Sequence, residues 1–297
     1  MVDDPTPDET FVNDNIYRSY GVKELVNWPI VFRNDLFKNQ VVLITGAAGG
    51  IGTACGALFG RLGAKVFGCG RNAEGLAKLS RELADHGIDN ATRAMSVRDP
   101  AQVAELVDEV WTRFGRLDVL INGAGGQFAA PALEITPKGW HAVVETILYG
   151  SWYLMQASAR RWRDENHPGA IVNLATNRDK AMVGIPHTVA ARAGQIGLGM
   201  SLAVEWAPYD IRVNSIAIGK IASPGLRNYP PSARATFAHN PLRRLGDVMD
   251  IAQAAAYLSA PSAKFITGAV LSVDGGDQVW GEYWPLGKPD YFKIGGE

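Results

Sequence analysis

The sequence Thr45-Gly46-Ala47-Ala48-Gly49-Gly50-Ile51-Gly52 connects a short apolar run, residues 40–45, to a longer apolar run, residues 50–62. The short run predicts a buried strand and the longer run a helix. The first glycine permits a tight turn, the third lets backbone approach a diphosphate, and the last lets helix and strand pack closely. Unpaired N–H groups and the helix dipole stabilise a diphosphate at the helix N-terminus. The cofactor-binding residues predicted from this stretch are Gly46, Gly50, Ile51 and Gly52.

Short apolar runs continue to alternate with longer amphipathic runs from about residue 40 to residue 276. Strands that alternate with helices in this way build a parallel sheet that is covered on both faces. The predicted fold class is therefore α/β, a single doubly wound Rossmann domain over residues 39–276 with a seven-stranded parallel sheet. Within it, the pattern predicts one long helix over about residues 137–163 and another over about residues 188–207.

Two arms flank this domain and do not follow the alternation: an N-terminal arm, residues 1–38, and an aromatic C-terminal arm, residues 277–297. Aromatic side chains at this density are expected to be covered by protein rather than by water. Two arrangements satisfy that expectation. The arms either pack on their own domain, or they cross to a neighbouring subunit and line its active site.

The amino-acid composition limits the kinds of molecule that the protein is expected to bind. The 297 residues include 29 basic and 30 acidic residues, a net charge of −1, which predicts no nucleic-acid partner and no membrane partner. No basic segment followed by an apolar run opens the chain, so we expect a cytoplasmic protein. Cys55 and Cys69 are interpreted as small buried hydrophobes. The five histidines lack metal-ligand spacing, so the sequence predicts no metal site and a small-molecule substrate.

The end of the second predicted strand, Gly68-Cys69-Gly70-Arg71, indicates which dinucleotide is bound. An NAD site favours an acidic residue here, which accepts hydrogen bonds from the adenosine ribose. In this chain Gly70 leaves room and Arg71 is able to pair with a 2′-phosphate. The sequence therefore predicts NADP(H) rather than NAD(H), with a solvated surface arginine as the alternative interpretation.

Over roughly residues 38–276 the sequence resembles the short-chain dehydrogenase/reductase family. The resemblance is carried by T-G-x-x-x-G-x-G at 45–52, Asn122-Gly123-Ala124-Gly125, Ile211-Arg212-Val213-Asn214, and Val273-Asp274-Gly275-Gly276. It implies a homo-oligomer, a dimer or a tetramer. It also implies further cofactor contacts, since the family places an Asp-Val pair against the adenine where this chain has Ser96-Val97. The cofactor-binding residues implied in this way are Ser96, Val97, Asn122 and Ala124.

Within the family, the chain looks most similar to the 2,4-dienoyl-CoA reductase-like group. That likeness is carried by the segments 31–37, 202–206, 225–227 and 241–246. It implies an NADPH-dependent reduction of a conjugated C=C bond in an acyl substrate.

The catalytic motif departs from the family pattern. Most members carry Y-x-x-x-K on the helix after the fifth strand, whereas this chain has Thr188 at the tyrosine position and Arg192 at the lysine position. Ala175 or Thr176 falls at the serine position, and Ile147 replaces the assisting asparagine. A threonine hydroxyl is a far weaker acid than a phenol of pKa ~10. Because arginine stays charged, it is able to hold ribose hydroxyls but not to relay a proton. Alcohol–ketone chemistry through this motif is therefore disfavoured.

Reduction of a conjugated C=C bond needs fewer catalytic groups than alcohol–ketone chemistry does, because hydrogen-bond donors need only stabilise the oxygen of an enolate. His187 is interpreted either as a proton donor to that enolate or as a capping or surface histidine. Thr188 either binds a carbonyl oxygen or caps the helix. The candidate catalytic residues are His187, Thr188, Arg192 and Thr176.

Residues 218–246, which we call the lid, correspond to the segment that closes over substrate in this family. Its cations either bind an acidic substrate such as a CoA phosphate or are ordinary solvated charges. These cations are Lys220, Arg227, Arg234, Arg243 and Arg244.

The sequence thus predicts an NADPH-dependent oxidoreductase that reduces an activated C=C bond, or a related carbonyl, of a hydrophobic substrate. Two alternatives stay open. One is a non-redox enzyme of the lyase or isomerase type, and the other is a catalytically silent NADP(H)-binding protein on the same scaffold.

Overall fold

The computed structural model describes residues 14–176, 181–229, 233, 237, 239–281 and 284–292. Seven parallel strands form one sheet in the order β3-β2-β1-β4-β5-β6-β7. The strands are β1 Val41–Thr45, β2 Lys65–Gly70, β3 Asn90–Ala94, β4 Val119–Asn122, β5 Gly169–Thr176, β6 Ile211–Ile218 and β7 Val270–Val273. The helices are α1 Val22–Leu25, α2 Gly50–Arg61, α3 Ala73–Asp85, α4 Pro100–Phe114, α5 Pro137–Val144, α6 Gly150–Asp164, α7 Pro186–Glu205 and α8 Val248–Ser259. The predicted single Rossmann domain is confirmed.

The two faces of the sheet are covered by different helices, as the period-two alternation of a strand requires. From β1, Val42 and Ile44 pack into an apolar cluster with α2, α3 and α8. Val41 and Leu43 point the other way and pack with α4, α6 and α7. All five residues of β1 are buried, which is why the strand reads as a continuous apolar run rather than as an alternating one.

The long helix predicted over residues 137–163 is interrupted. A π-helical segment, Glu145–Tyr149, separates α5 from α6. Beside it, the Thr146 hydroxyl donates to the carbonyl oxygen of Ala142 (2.8 Å), and Arg98 donates to both groups, at 2.7 Å and 2.6 Å. A π turn adds one residue per turn and is common at functional sites. Because Arg98 belongs to a distant part of the chain, the local periodicity carries no sign of the interruption.

Helix α7 begins at Pro186, two residues earlier than predicted, and its N-cap is Ile185. Proline is favoured at the first helical position because its fixed φ suits the helix. An N–H group at that position would have no partner within the helix, so its absence in proline costs nothing. Thr188 therefore lies inside the first turn. The interpretation of Thr188 as the helix N-cap is wrong.

The described parts of both arms contact their own chain. Ile16 and Tyr17 of the N-terminal arm pack against Leu226 and Phe237 of the lid. In the C-terminal arm, the ring of Trp280 lies 4.7 Å from that of His239, again on the lid. The lid is thus bordered by an arm on either side. Among the residues described, we find no helix long and apolar enough to cross a membrane.

Candidate active site

The glycine-rich turn after β1 is folded tightly on itself. Gly46 has a φ of +70°, a conformation that favours glycine, and its N–H donates to the carbonyl oxygen of Cys69 (2.8 Å). A Cβ on Gly52 would collide with the carbonyl oxygen of Gly46 and lie 2.7 Å from Cα of Ala47. The N-cap of α2, Gly49, offers no side-chain hydrogen bond. The first N–H groups of α2 therefore receive no cap from a side chain of Gly49. Uncapped N–H groups at a helix start are what an anion-binding site requires.

The loop after β4 is held beside this turn by Thr45. The Thr45 hydroxyl oxygen accepts hydrogen bonds from the N–H groups of Gly123 (3.0 Å) and Ala124 (2.8 Å). Asn122 is completely buried, and its amide donates to Oδ1 of Asn173 on β5 (3.2 Å). Thr45 is a functional residue that sequence reasoning missed, although it opens the quoted motif. Asn122 and Thr45 together fix the backbone that would face the cofactor.

Arg71 stands exposed after the end of β2 and forms no ion pair within the described part of the chain. A Cβ on Gly126, in the loop after β4, would lie 3.8 Å from its guanidinium. Ser96 and Val97 follow β3; the Ser96 hydroxyl accepts from the N–H of Arg98 (3.4 Å), and Val97 is buried. The cofactor-binding residues predicted from the sequence thus line the carboxyl ends of β1 to β4.

Arg192 is the centre of a polar network between α7, β5 and α6. Its guanidinium donates to the carbonyl oxygen of Leu174 and to Oε1 of Gln195 (3.0 Å). Gln195 in turn donates to the hydroxyl of Ser151 (2.7 Å), which donates to the carbonyl oxygen of Ile147 (2.5 Å) in the π segment. The π segment thereby contributes a carbonyl oxygen to the network that positions Arg192.

The charge of Arg192 is uncompensated within the described residues, since none of their ion pairs includes it. Burial lowers the pKa of its guanidinium to about 10, so it stays protonated at neutral pH. A Cβ on Gly125 would lie 2.5 Å from its Nη2, so Gly125 leaves the space that this cation occupies. A positive charge that no described carboxylate pairs with therefore lies beside the loop after β4.

His187 is completely buried, so the interpretation of it as a surface histidine is wrong. Its Nδ1 accepts a hydrogen bond from the N–H of Thr188 (2.8 Å). The tautomer that forms this hydrogen bond carries its hydrogen on Nε2, which has no partner among the residues described. Burial lowers the pKa of His187, which keeps the ring neutral at pH 7. The ring of Phe128 packs edge-on against it, with centroids 4.7 Å apart.

The other two candidate catalytic residues lie at the same end of the sheet. The Thr188 side chain is nearly buried on the first turn of α7, and its hydroxyl lies 3.4 Å from Nδ1 of His187. Thr176 ends β5, and its hydroxyl donates to the carbonyl oxygen of Ile218 at the end of β6 (3.4 Å). The structure thus brings the four predicted catalytic residues to the carboxyl end of β5 and the first two turns of α7.

The lid reaches this region through Tyr229, which sequence reasoning missed. Its hydroxyl oxygen accepts a hydrogen bond from Nε2 of Gln127, in the loop after β4. Burial raises the pKa of the Tyr229 phenol. No spacing rule connects residues 102 positions apart, so only the folded chain reveals this contact.

The cations of the lid face protein groups. Lys220 lies 3.6 Å from Asp277, and Arg244 lies 3.8 Å from Asp250. Arg227 and Arg243 lie over tyrosine rings, those of Tyr17 and Tyr291, at 5.8 Å and 5.2 Å. Arg234 lies outside the described residues. These four described cations hold the lid to its surroundings.

The chain is similar to known proteins both in sequence and in fold. Residues 46–277 match the family described as enoyl-(acyl carrier protein) reductase. The chain is 38% identical over 245 residues to a probable 2,4-dienoyl-CoA reductase of Bacillus subtilis, which covers 80% of this chain and 96% of that protein. It is 34% identical over 270 residues to a peroxisomal 2,4-dienoyl-CoA reductase of Arabidopsis thaliana, covering 87% and 88% of the two chains. A solved short chain dehydrogenase from Bacillus anthracis superposes with a TM-score of 0.76 at 34% identity, covering 83% of this chain and 99% of that one.

Proposed function

The chain belongs to the short-chain dehydrogenase/reductase family, and on that premise we propose that it is an NADPH-dependent reductase of a conjugated C=C bond in a hydrophobic enoyl or dienoyl thioester. The observation that carries the proposal is His187, a buried neutral donor whose Nε2–H has no partner among the described residues. Such a group is suited to binding an enolate oxygen. A Y-x-x-x-K tyrosine, which alcohol oxidation requires, is absent from α7.

The residues present fit NADP(H). The N–H groups at the start of α2 would bind the diphosphate, because no side chain of Gly49 caps them and Gly52 keeps the helix close. Arg71, exposed and without an ion pair in the described chain, would bind the 2′-phosphate. Arg192 would hold the ribose beside Gly125. The cofactor, when bound, supplies a hydride.

The side chains on α7 would stabilise negative charge on the substrate's carbonyl oxygen. Reduction of a conjugated C=C bond moves charge onto that oxygen, where preorganised donors are most effective in a site without water. His187 donates through Nε2 while remaining neutral, and the Thr188 hydroxyl lies next to it. Arg192 adds a fixed positive charge that no described carboxylate neutralises.

The test is a titration of the purified protein with NADPH and NADH, followed by an assay of NADPH oxidation with 2,4-hexadienoyl-CoA. We expect tighter binding of NADPH and formation of a hexenoyl-CoA. Tight NADPH binding without oxidation would favour the catalytically silent protein. Turnover of the thioester without any change in NADPH absorbance would favour the non-redox alternative.

We also propose that the protein is a homo-oligomer. Tyr149 in the π segment and Met200 and Val204 on α7 are exposed by 47%, 46% and 79%, and large apolar side chains of this kind favour an interface. Sedimentation velocity of the wild type against Val204→Lys would test this, since a charge at the interface should shift the protein towards monomer.

A further inference from the structure

The family's catalytic tyrosine is replaced by Thr188, but another phenol reaches the same end of the sheet. Tyr229, in the lid, contacts Gln127 in the loop after β4. Gln127 lies two residues after Gly125, which borders the guanidinium of Arg192. It directly precedes Phe128, whose ring packs on His187. The Tyr229 hydroxyl is therefore held at the part of the loop that lies between the Arg192 and His187 contacts.

The direction of the hydrogen bond leaves the phenol proton without an acceptor among the described residues. Nε2 of Gln127 donates, and the hydroxyl oxygen of Tyr229 accepts. Within residues 14–176 and 181–229, and the other residues that the structure describes, nothing accepts the hydroxyl hydrogen of Tyr229. A hydroxyl that accepts one bond retains its own donor. This proton is thus available to a ligand bound under the lid.

The surroundings keep the phenol protonated and in place. Its ring lies 5.9 Å from that of Phe237 and packs on the cluster formed with Ile16 and Leu226, and Gln127 is neutral. Burial in this apolar setting raises the pKa of Tyr229 above its ordinary value of 10.0. The N-terminal arm, through Ile16, supports the lid segment that carries the tyrosine.

We propose that Tyr229 is the proton donor that completes C=C reduction at this site, an inference that rests on the proposed function. Hydride addition at the distal carbon of the conjugated C=C bond brings two electrons from the reduced nicotinamide and leaves an enolate. The O–H bond of Tyr229 then breaks, a C–H bond forms at the enolate carbon, and the carbonyl is restored. The phenolate left behind takes a proton from water.

The first test is Tyr229→Phe, which keeps the ring in its cluster and removes only the hydroxyl. With 2,4-hexadienoyl-CoA and NADPH we expect kcat to fall about 100-fold or more, the range in which a general acid contributes, with unchanged NADPH affinity. Tyr20→Phe is the matched control, because Tyr20 packs on Trp28 in the N-terminal arm. Its kcat should equal that of the wild type.

A second test separates proton donation from a structural role. Difluorotyrosine at position 229 has a more acidic phenol and nearly the same shape. It should move the alkaline limb of the kcat–pH profile to lower pH, since the group acts while protonated. Its fluorine NMR resonance should also shift when hexanoyl-CoA, a saturated ligand that cannot react, is added.

The outcomes distinguish the two proposals. An active wild type whose Tyr229→Phe variant keeps full kcat, or an alkaline limb that does not move, overturns the role of Tyr229 alone. A wild type that binds NADPH and leaves 2,4-hexadienoyl-CoA and other enoyl thioesters unreduced overturns the proposed function, and the role of Tyr229 with it.

Discussion

The two ends of the candidate site are built differently. At the cofactor end, between β1 and β4, the geometry comes from backbone: a glycine turn, an uncapped helix start and two N–H groups held by Thr45. At the substrate end, between β5, α7 and the lid, it comes from the side chains of His187, Arg192 and Tyr229. Backbone geometry tolerates few substitutions, whereas side chains on an unchanged helix can be exchanged one by one. The proposed cofactor binding therefore depends mainly on backbone, and the proposed chemistry depends on side chains.

The largest effect is expected at the cofactor end from Gly52→Ala. The new Cβ would lie 2.7 Å from Cα of Ala47 and closer still to the Gly46 carbonyl oxygen, so α2 has to move away from β1. We expect loss of NADPH and NADH binding together with about 3 kcal/mol of stability. Isothermal titration and urea unfolding measure both.

Gly56→Ala on the same helix is the control. Its Cβ would meet Leu83, Val66 and Ile44 at ordinary contact distances of 3.8–4.0 Å, so binding should persist. Stability should then rise by up to about 1 kcal/mol from helix propensity. Equal damage from both variants would mean that the turn is not specially constrained.

At the substrate end, Arg192→Met should weaken NADPH binding by removing the proposed ribose contact, and should lower kcat about 10²–10³-fold by removing positive charge beside the enolate oxygen. It removes the positive charge, which no described carboxylate pairs with, and the hydrogen bonds to Leu174 and Gln195. Steady-state kinetics with 2,4-hexadienoyl-CoA would measure the loss. Arg192→Lys keeps the charge and should recover part of it; a lysine variant as inactive as the methionine variant would assign the effect to the planar hydrogen bonds instead.

A smaller, selective effect is expected from Arg71→Ala. A charge-assisted hydrogen bond contributes about 1.5–3 kcal/mol, so NADPH affinity should fall about 10–100-fold while NADH affinity stays constant. Arg163→Ala, which removes an exposed arginine paired with Asp164, is the control. Equal losses for both cofactors would show that Arg71 does not read the 2′-phosphate.

The smallest expected effect is the contribution of His187 to the pH dependence of the free energy of unfolding. Burial lowers the pKa of His187 in the folded state below its ordinary value of 6.5. Below pH 6.5 the unfolded chain therefore binds a proton at this residue more readily than the folded chain does, and protonation favours unfolding. Stability should therefore be highest well above pH 6.5 and should fall as the pH drops below 6.5. Unfolding at several pH values would measure this.

His187→Gln should flatten that dependence, because the amide does not titrate. An acid limb that persists in His187→Gln would have to come from other groups.

Most of the fold could be predicted from local sequence. The glycine turn, the strand runs and the caps act within a few residues, so a prediction from the chain alone reached seven parallel strands in one Rossmann domain. The start of α7 was also within reach, because Pro186 at the first helical position is a local signal. The π segment could not be predicted from local sequence, because its Thr146 hydroxyl is hydrogen-bonded by Arg98, which lies 48 residues away in the chain.

By itself, the sequence determined the fold class, the glycine-rich turn and the absence of tyrosine and lysine from α7, because each depends on residue type at a known spacing. Tertiary structure alone decided that His187 is buried and neutral, that Arg192 has no described carboxylate partner, and that Tyr229 reaches Gln127. Protonation and hydrogen-bond direction depend on neighbours that are distant in the chain. Burial and charge at the site therefore arise only when the sheet, α7 and the lid are assembled.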